Sequence, residues 1–129
     1  MTYLYFFANS SLTLRVVEYL SNHPYWPLQA MTVVHQIDGW IIQVKFRYPL
    51  SLGEEGDFRA YLQELGGPVK PSARLQRALQ SLEVGYSPVE VMRFHQVAIV
   101  SHGRPDCKEI KEFRRQFVKG LGYCPETLS

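Results

Sequence analysis

The sequence predicts a mixed α+β fold, and three observations lead to it. An Asp38-Gly39 pair separates two runs rich in β-branched and aromatic residues, which is typical of a β-hairpin. Apolar residues recur at helical spacing in four other segments. Prolines and glycines fall singly or in short groups between these segments, as turns within one domain. Because domains usually span roughly 100–200 residues, we expect one domain over residues 1–129.

The first elements are a strand and a helix that precede the hairpin. Aromatic content predicts a strand over Tyr3–Ala8. A helix is predicted over Ser10–Asn22, with Asn9 or Ser10 at its start and Pro24 preventing its continuation. Its apolar stripe consists of Leu12, Val16, Tyr19 and Leu20.

The hairpin is predicted from Met31–Ile37 and Trp40–Tyr48, with Asp38-Gly39 as its two-residue turn. This register pairs Ile37 with Trp40 and His35 with Ile42. One face is apolar, and we expect it to point into the core: Met31, Val33, His35, Ile37, Trp40, Ile42, Val44 and Phe46. The opposite face is mixed and basic, with Ile41, Gln43, Lys45 and Arg47 on the second strand.

Three serine-headed segments follow the hairpin. Ser51 and Glu54 form a capping-box pattern that predicts a helix ending at Gly66-Gly67-Pro68. Ser72 is expected to start a second helix with an apolar stripe of Leu75, Ala78, Leu79 and Leu82. Ser87-Pro88-Val89-Glu90 predicts one short helical turn.

The last two elements are a strand and a helix. A strand is predicted over Phe94–Ser101, and Asp106 is expected to cap a helix with Ile110, Phe113, Phe117 and Leu121 on its apolar side. Without the extra helices, the order of elements is that of the split βαβ, or ferredoxin-like, motif. That motif predicts an antiparallel sheet with helices on one face. Its open face would carry Tyr3, Tyr5 and Phe7, and we expect the C-terminal helix to cover that face at least in part.

Composition and charge exclude several classes of protein. The formal net charge of +2 is too small to indicate nucleic acid or membrane as a partner, and no apolar run approaches the ~20 residues that span a bilayer. Residues Tyr3–Ala8 lack the features of a signal peptide, so we expect a soluble cytoplasmic protein. Cys107 and Cys124 are expected to remain free thiols.

Sequence patterns of common catalytic and metal sites are absent, so we expect no cofactor and no metal. The ferredoxin-like order would separate His35 and His95 by ~14 Å on opposite edges of the sheet, too far to share a metal. The best candidate for an active or anion-binding site is the loop over residues 101–107, where a strand end meets a helix start. There His102 could move a proton, Arg104 could bind an anion, and an exposed Cys107 would have a lowered pKa.

These observations favour a non-catalytic protein-interaction module, such as an adaptor or regulatory subunit, over an enzyme. Its expected partner is a protein or a second copy of the chain. Aromatic and arginine side chains dominate interface energetics, and the candidate contact residues are Tyr3, Tyr5, Phe7, Tyr25, Trp26 and Arg47. Two alternatives stay open. One is single-stranded RNA binding on an open sheet face beside Lys45 and Arg47, and the other is a small enzyme that uses the 101–107 loop.

Overall fold

A computed structural model describes residues 1–129 and confirms a mixed α+β architecture. The strands are β1 (Thr2–Phe7), β2 (Leu28–Gln36), β3 (Gly39–Phe46), β4 (Gly67–Pro68) and β5 (Ala98–Gly103). The helices are α1 (Ser10–Ser21), α2 (Leu52–Leu65), α3 (Ala73–Glu83), α4 (Pro88–His95) and α5 (Cys107–Leu121), and a short 3-10 turn spans Glu126–Leu128. None of the five helices is both long enough and apolar enough to cross a membrane.

The five strands form one antiparallel sheet in the order β4-β1-β3-β2-β5. A ferredoxin-like sheet would place the last long strand beside β1, but here β5 pairs with β2. The edge of β1 is occupied by β4, which Gly66 brings close to Phe6. A Cβ atom at Gly66 would overlap the Phe6 carbonyl oxygen, so this close approach requires glycine. With β4 at the edge of β1, β5 lies at the opposite edge of the sheet beside β2.

The hairpin keeps its predicted faces but not its predicted turn. Gln36 pairs with Gly39, so Ile37 and Asp38 form the turn, and His35 lies opposite Trp40 rather than Ile42. This shift of two residues preserves the alternation of sides, so Trp40, Ile42, Val44 and Phe46 are buried as expected. Gly39 is the first residue of β3, and a Cβ atom there would lie 2.5 Å from the Phe6 ring. Ile37 is 98 % exposed at the tip.

Helices cover both faces of the sheet, whereas the ferredoxin-like motif predicted helices on one. A larger core of 17 buried residues lies between the sheet and α1, α2 and α5. A smaller core of 8 buried residues lies on the opposite face against α3 and α4, and consists of Val34, Ile41, Leu75, Ala78, Leu79, Leu82, Val91 and Ile99. The molecule therefore has three layers, with the sheet in the middle.

Tyr3, Tyr5 and Phe7 of β1 lie in the larger core, not on an open face. Tyr3 pairs with Val44 and Tyr5 with Ile42, so the β1 aromatics share the side of the apolar hairpin face. The Tyr3 ring meets Phe58 of α2 edge-on at 5.0 Å between centroids. This side is favoured because it removes three large aromatic surfaces from water. The C-terminal helix α5 covers another part of the same face, where Phe113 meets Trp40 at 5.7 Å.

Local capping signals were reliable predictors of where helices begin. Ser51 and Glu54 form the predicted capping box, Ser72 caps α3, and Asp106 caps α5. Ser87 also caps α4 as predicted, but this helix has 8 residues where one turn was expected. As a result His95 ends a helix instead of lying in a strand, and β5 begins only at Ala98. Both cysteines are free, and Cys107 lies in the first turn of α5 as predicted.

Candidate functional site

The structure divides the predicted contact residues into two groups. Tyr3, Tyr5 and Phe7 are buried, so the prediction that they form a contact surface is wrong. Their burial follows from the β1–β3 register, which turns them into the larger core. The other predicted contact residues remain accessible: Tyr25 is 97 % exposed, Trp26 is half-buried and Arg47 is exposed.

Trp26 and Arg47 lie in one cleft together with Arg104 of the 101–107 loop. We call this cleft, of about 480 Å³, the arginine cleft. Its lining comprises Leu20, Ser21, His23, Pro24, Trp26, Pro27, Leu28, Gln29, Arg47, Gly103, Arg104 and Pro105. Three sequence-distant segments therefore meet here: the α1–β2 connection, the residue after β3, and the β5–α5 loop. The sequence had assigned Arg47 and Arg104 to different candidate sites.

The first wall of the arginine cleft is a braced aromatic segment. His23 and Trp26 stack with ring centroids 4.2 Å apart, and the His23 Nδ1 lies 2.7 Å from the Tyr19 carbonyl oxygen. The Trp26 Nε1 donates to the Glu54 carboxylate of α2 at 3.0 Å. The Arg47 backbone N–H donates to the Pro27 carbonyl at 2.8 Å, which holds the start of the Arg47 side chain beside this wall. The wall is thus fixed by contacts that leave the arginine side chain exposed.

The second wall is the turn after β5. Gly103 pairs with Met31 at the end of the ladder and has a φ of 127°, a left-handed conformation that glycine adopts without strain. The Ser21 hydroxyl donates to the Pro105 carbonyl at 3.5 Å and links this turn to α1. Gln29 lies at a register shift between Leu28 and Ala30, so β2 is irregular where it borders the cleft.

The arginine cleft is electrostatically one-sided. Its lining contains two arginines and one histidine but no aspartate or glutamate. The chain has three salt bridges, and neither Arg47 nor Arg104 belongs to any of them. Two arginines therefore line one cleft without forming a salt bridge, and guanidinium groups bind carboxylates and phosphates through paired hydrogen bonds.

The three candidate residues of the 101–107 loop do not converge. The His102 Nδ1 forms a hydrogen bond with the Thr32 hydroxyl at 2.8 Å. His102 also lines a separate groove, together with Lys45, Leu79 and Glu83. Arg104 instead lines the arginine cleft. The Cys107 thiol is half-buried against Leu14, and desolvation raises its pKa, contrary to the lowering expected for an exposed thiol. A nucleophile and base in hydrogen-bond contact are thus not assembled here.

The two histidines considered as metal ligands lie on opposite sides of the sheet. His35 packs on the larger-core face among Trp40, Phe113 and Phe117. His95, at the end of α4, has its Nε2 3.1 Å from the Ser81 hydroxyl. No group of three or more His, Cys, Asp or Glu side chains is placed to hold a metal ion.

A second basic surface runs along α5 but is partly neutralised. A groove of about 390 Å³ is lined by Lys111, Arg114, Arg115, Val118, Lys119 and Cys124. Arg115 forms an ion pair with Glu112 at 2.6 Å, and Arg114 donates to the Leu128 carbonyl. The hydrogen bonds of Arg115 and Gln116 lower the pKa of Glu112 to about 2, so this carboxylate stays charged beside the arginine. The α5 groove therefore has fewer free cationic groups than its sequence suggests.

Sequence reasoning missed His23 and Gln29 as cleft residues, and it placed Pro105 in the 101–107 loop without linking that loop to Trp26 and Arg47. The pattern His23-Pro24-Tyr25-Trp26-Pro27 is rich in proline and aromatic residues for a connection between elements, and this was the one local signal available. The contribution of Pro105 depends on β5 pairing with β2, which no local pattern indicates.

Comparisons with known proteins support the fold and nothing finer. No protein-family model matches the chain, and no curated protein matches it. Among solved structures, it resembles the crystal structure of the C-terminal domain of YpbH, with a TM-score of 0.53 and 17% sequence identity. The match covers 87% of this chain and 97% of that one. Similarity at this level indicates a shared fold, and function has to be argued from the residues themselves.

Proposed function

We propose that this protein is a non-catalytic protein-interaction module, an adaptor or regulatory subunit of a larger assembly, and that the arginine cleft is its binding site. One observation carries the proposal. Arg47 and Arg104 are exposed in a cleft that also contains Trp26. The lining contains no acidic residue, and neither arginine forms a salt bridge with another residue of the chain. Arginine and tryptophan are the residues most enriched in interface hot spots.

The enzymatic alternative lacks an assembled site. His102, Arg104 and Cys107 point to three different environments, and desolvation raises the pKa of the Cys107 thiol. A thiol nucleophile needs a lowered pKa and a nearby base. The arrangement of these residues favours a binding role over a catalytic one.

The RNA alternative lacks an open sheet face. Sheet-surface RNA readers stack bases on exposed aromatic residues of central strands. Here Tyr3, Tyr5 and Phe7 are buried under helices, and α3 and α4 cover the other face. Lys45, a residue of the expected RNA-binding surface, forms a salt bridge with Glu83. Any nucleic-acid contact would have to use the α5 groove instead.

The proposal is tested by comparing partner capture by the wild type and the R47A/R104A double variant. The immobilised full chain is incubated with lysate from its source cells, and retained proteins are quantified by mass spectrometry. We expect a stoichiometric partner on the wild type and its loss from the double variant, because both cleft cations are removed. Circular dichroism and thermal unfolding check that the double variant stays folded.

The matched control is R74A/R77A, which removes two exposed arginines of α3 on the opposite side of the sheet. It makes the same change in net charge without touching the arginine cleft, and we expect it to retain the partner. Absence of any stoichiometric partner, together with a monomeric mass by light scattering, would refute the interaction module. Equal retention by R47A/R104A would refute the cleft as its site.

A further inference from the structure

We infer that the arginine cleft binds an acidic peptide segment of the partner protein. Carboxylate side chains of the peptide would bind Arg47 and Arg104, and an apolar side chain would pack against the wall formed by the α1–β2 connection. The inference rests on the proposed function and deepens it by naming the chemistry of the partner. It depends on the charge, the shape and the bracing of the cleft.

Charge complementarity selects an acidic occupant. Arg47 and Arg104 are the two permanent charges of the lining, and both are exposed and unpaired. A guanidinium group presents a planar fork of donors that matches a carboxylate in two parallel hydrogen bonds. Glu54, whose carboxylate accepts hydrogen bonds from Ser51 and Trp26, forms no salt bridge with either arginine. The two exposed cations are thus available to acidic groups from outside the molecule.

The size and lining of the arginine cleft favour a peptide segment over a flat protein surface. A volume of about 480 Å³ lies within the range of sites that enclose a small group of atoms. Leu20, Pro27 and Leu28 add apolar side chains to the lining, and the lining prolines Pro24 and Pro105 restrict the backbone of the two loops. A rigid site loses less conformational entropy on binding, which favours a short extended segment.

The bracing of Trp26 argues against single-stranded nucleic acid as the occupant. Proteins that bind single strands use free aromatic rings on which bases stack, along a continuous basic track. One face of the Trp26 indole is stacked on His23, its edge donates to Glu54, and it meets Phe46 and Phe58 edge-on. With this ring engaged on several sides and two permanent cations in the lining, the cleft offers anchor points for carboxylates but no stacking platform.

The experiment measures binding of labelled synthetic peptides to the full-length protein by fluorescence anisotropy at low and at physiological salt. The probe is a short peptide in which two glutamates flank a leucine, and the matched peptide carries glutamine in place of each glutamate. We expect the glutamate peptide to bind, the glutamine peptide to bind at least about tenfold more weakly, and the affinity to fall as salt rises.

Protein variants locate the site. We expect R47A and R104A each to weaken binding of the glutamate peptide about tenfold, and R47K/R104K to restore it in part, because lysine keeps the charge but lacks the guanidinium fork. R74A/R77A should bind like the wild type. Variants that retain the fold by circular dichroism but bind the peptide unchanged would overturn the inference.

Two further outcomes would also overturn it: equal binding of the glutamine peptide, or tighter competition by a single-stranded oligonucleotide than by unlabelled glutamate peptide. The experiment separates this inference from the proposed function. If no acidic peptide binds while R47A/R104A still loses a stoichiometric partner, the chemistry of the partner is wrong and the interaction module stands. If the partner is absent as well, both are wrong.

Discussion

The hydrophobic cores on the two faces of the sheet differ in size and in composition. The larger core has 17 buried residues, drawn mainly from three strands and three helices, and several of its aromatic rings meet edge-on. The smaller core has 8, and polar contacts frame it: Lys45 with Glu83, Thr32 with His102, and Ser81 with His95. Because apolar burial drives folding, the larger core should determine global stability, whereas the α3–α4 layer should open more readily.

The largest expected effect comes from Trp40→Ala in the larger core. Trp40 is fully buried, packs against His35 and Phe113, and donates from Nε1 to the Thr127 carbonyl at 2.7 Å. We expect a loss of about 4 kcal/mol in the free energy of unfolding, measured by urea denaturation. Trp40→Phe serves as the control, since it keeps an aromatic ring and should recover much of the loss. A loss below about 1 kcal/mol for Trp40→Ala would show that the larger core does not dominate.

Leu75→Ala tests the smaller core and should cost less, about 2 kcal/mol. Leu75 belongs to α3 and is buried in the smaller core. Hydrogen exchange should show faster exchange in α3 and α4 and little change in β1 and β3, because the α3–α4 layer opens locally. Uniformly faster exchange across the whole sheet would mean that the two cores unfold as one unit and that the comparison fails.

The pH dependence of stability compares His35 in the larger core with His102 on the other face. Desolvation lowers the pKa of each imidazole below its unfolded value of about 6.5. At pH values between the folded and the unfolded pKa of each histidine, the unfolded chain therefore binds more protons than the folded chain. The contribution of each neutral histidine to stability is complete above pH ~6.5 and is lost as the pH falls toward the folded pKa. The stabilities of H35Q and H102Q, measured by urea denaturation between pH ~7.5 and ~5, should each show a flatter slope than the wild type.

The smallest effect concerns the ion pair between Lys45 and Glu83, which joins β3 to α3. Both side chains reach solvent, so we expect Glu83→Gln to cost about 0.5 kcal/mol at low salt and less in 1 M salt. Glu64→Gln, which changes an exposed acid of α2 outside any salt bridge, is the control. A loss well above 1 kcal/mol would mean that this polar contact contributes to the α3–α4 layer as much as its apolar core.

Local sequence signals determined the helices and the sidedness of the hairpin. Each helix cap binds a backbone N–H no more than three residues away, as at Ser51, Ser72 and Asp106. Such caps could therefore be recognised without knowledge of the fold. The alternation along Trp40–Phe46 likewise identified the buried side, and it survived a register shift of two because strand sides repeat every second residue.

Long-range packing decided the rest. The turn falls at Ile37-Asp38 with Gly39 close to the Phe6 ring, and β5 pairs with β2 while β4 pairs with β1; all of these contacts join residues that are distant in the chain or hidden from local patterns. The arginine cleft forms only because that placement brings Arg104 beside Trp26 and Arg47, residues that are far apart in the chain. A sequence displays interactions between near neighbours, whereas strand order depends on contacts between residues far apart in the chain, and those contacts exist only in the folded molecule.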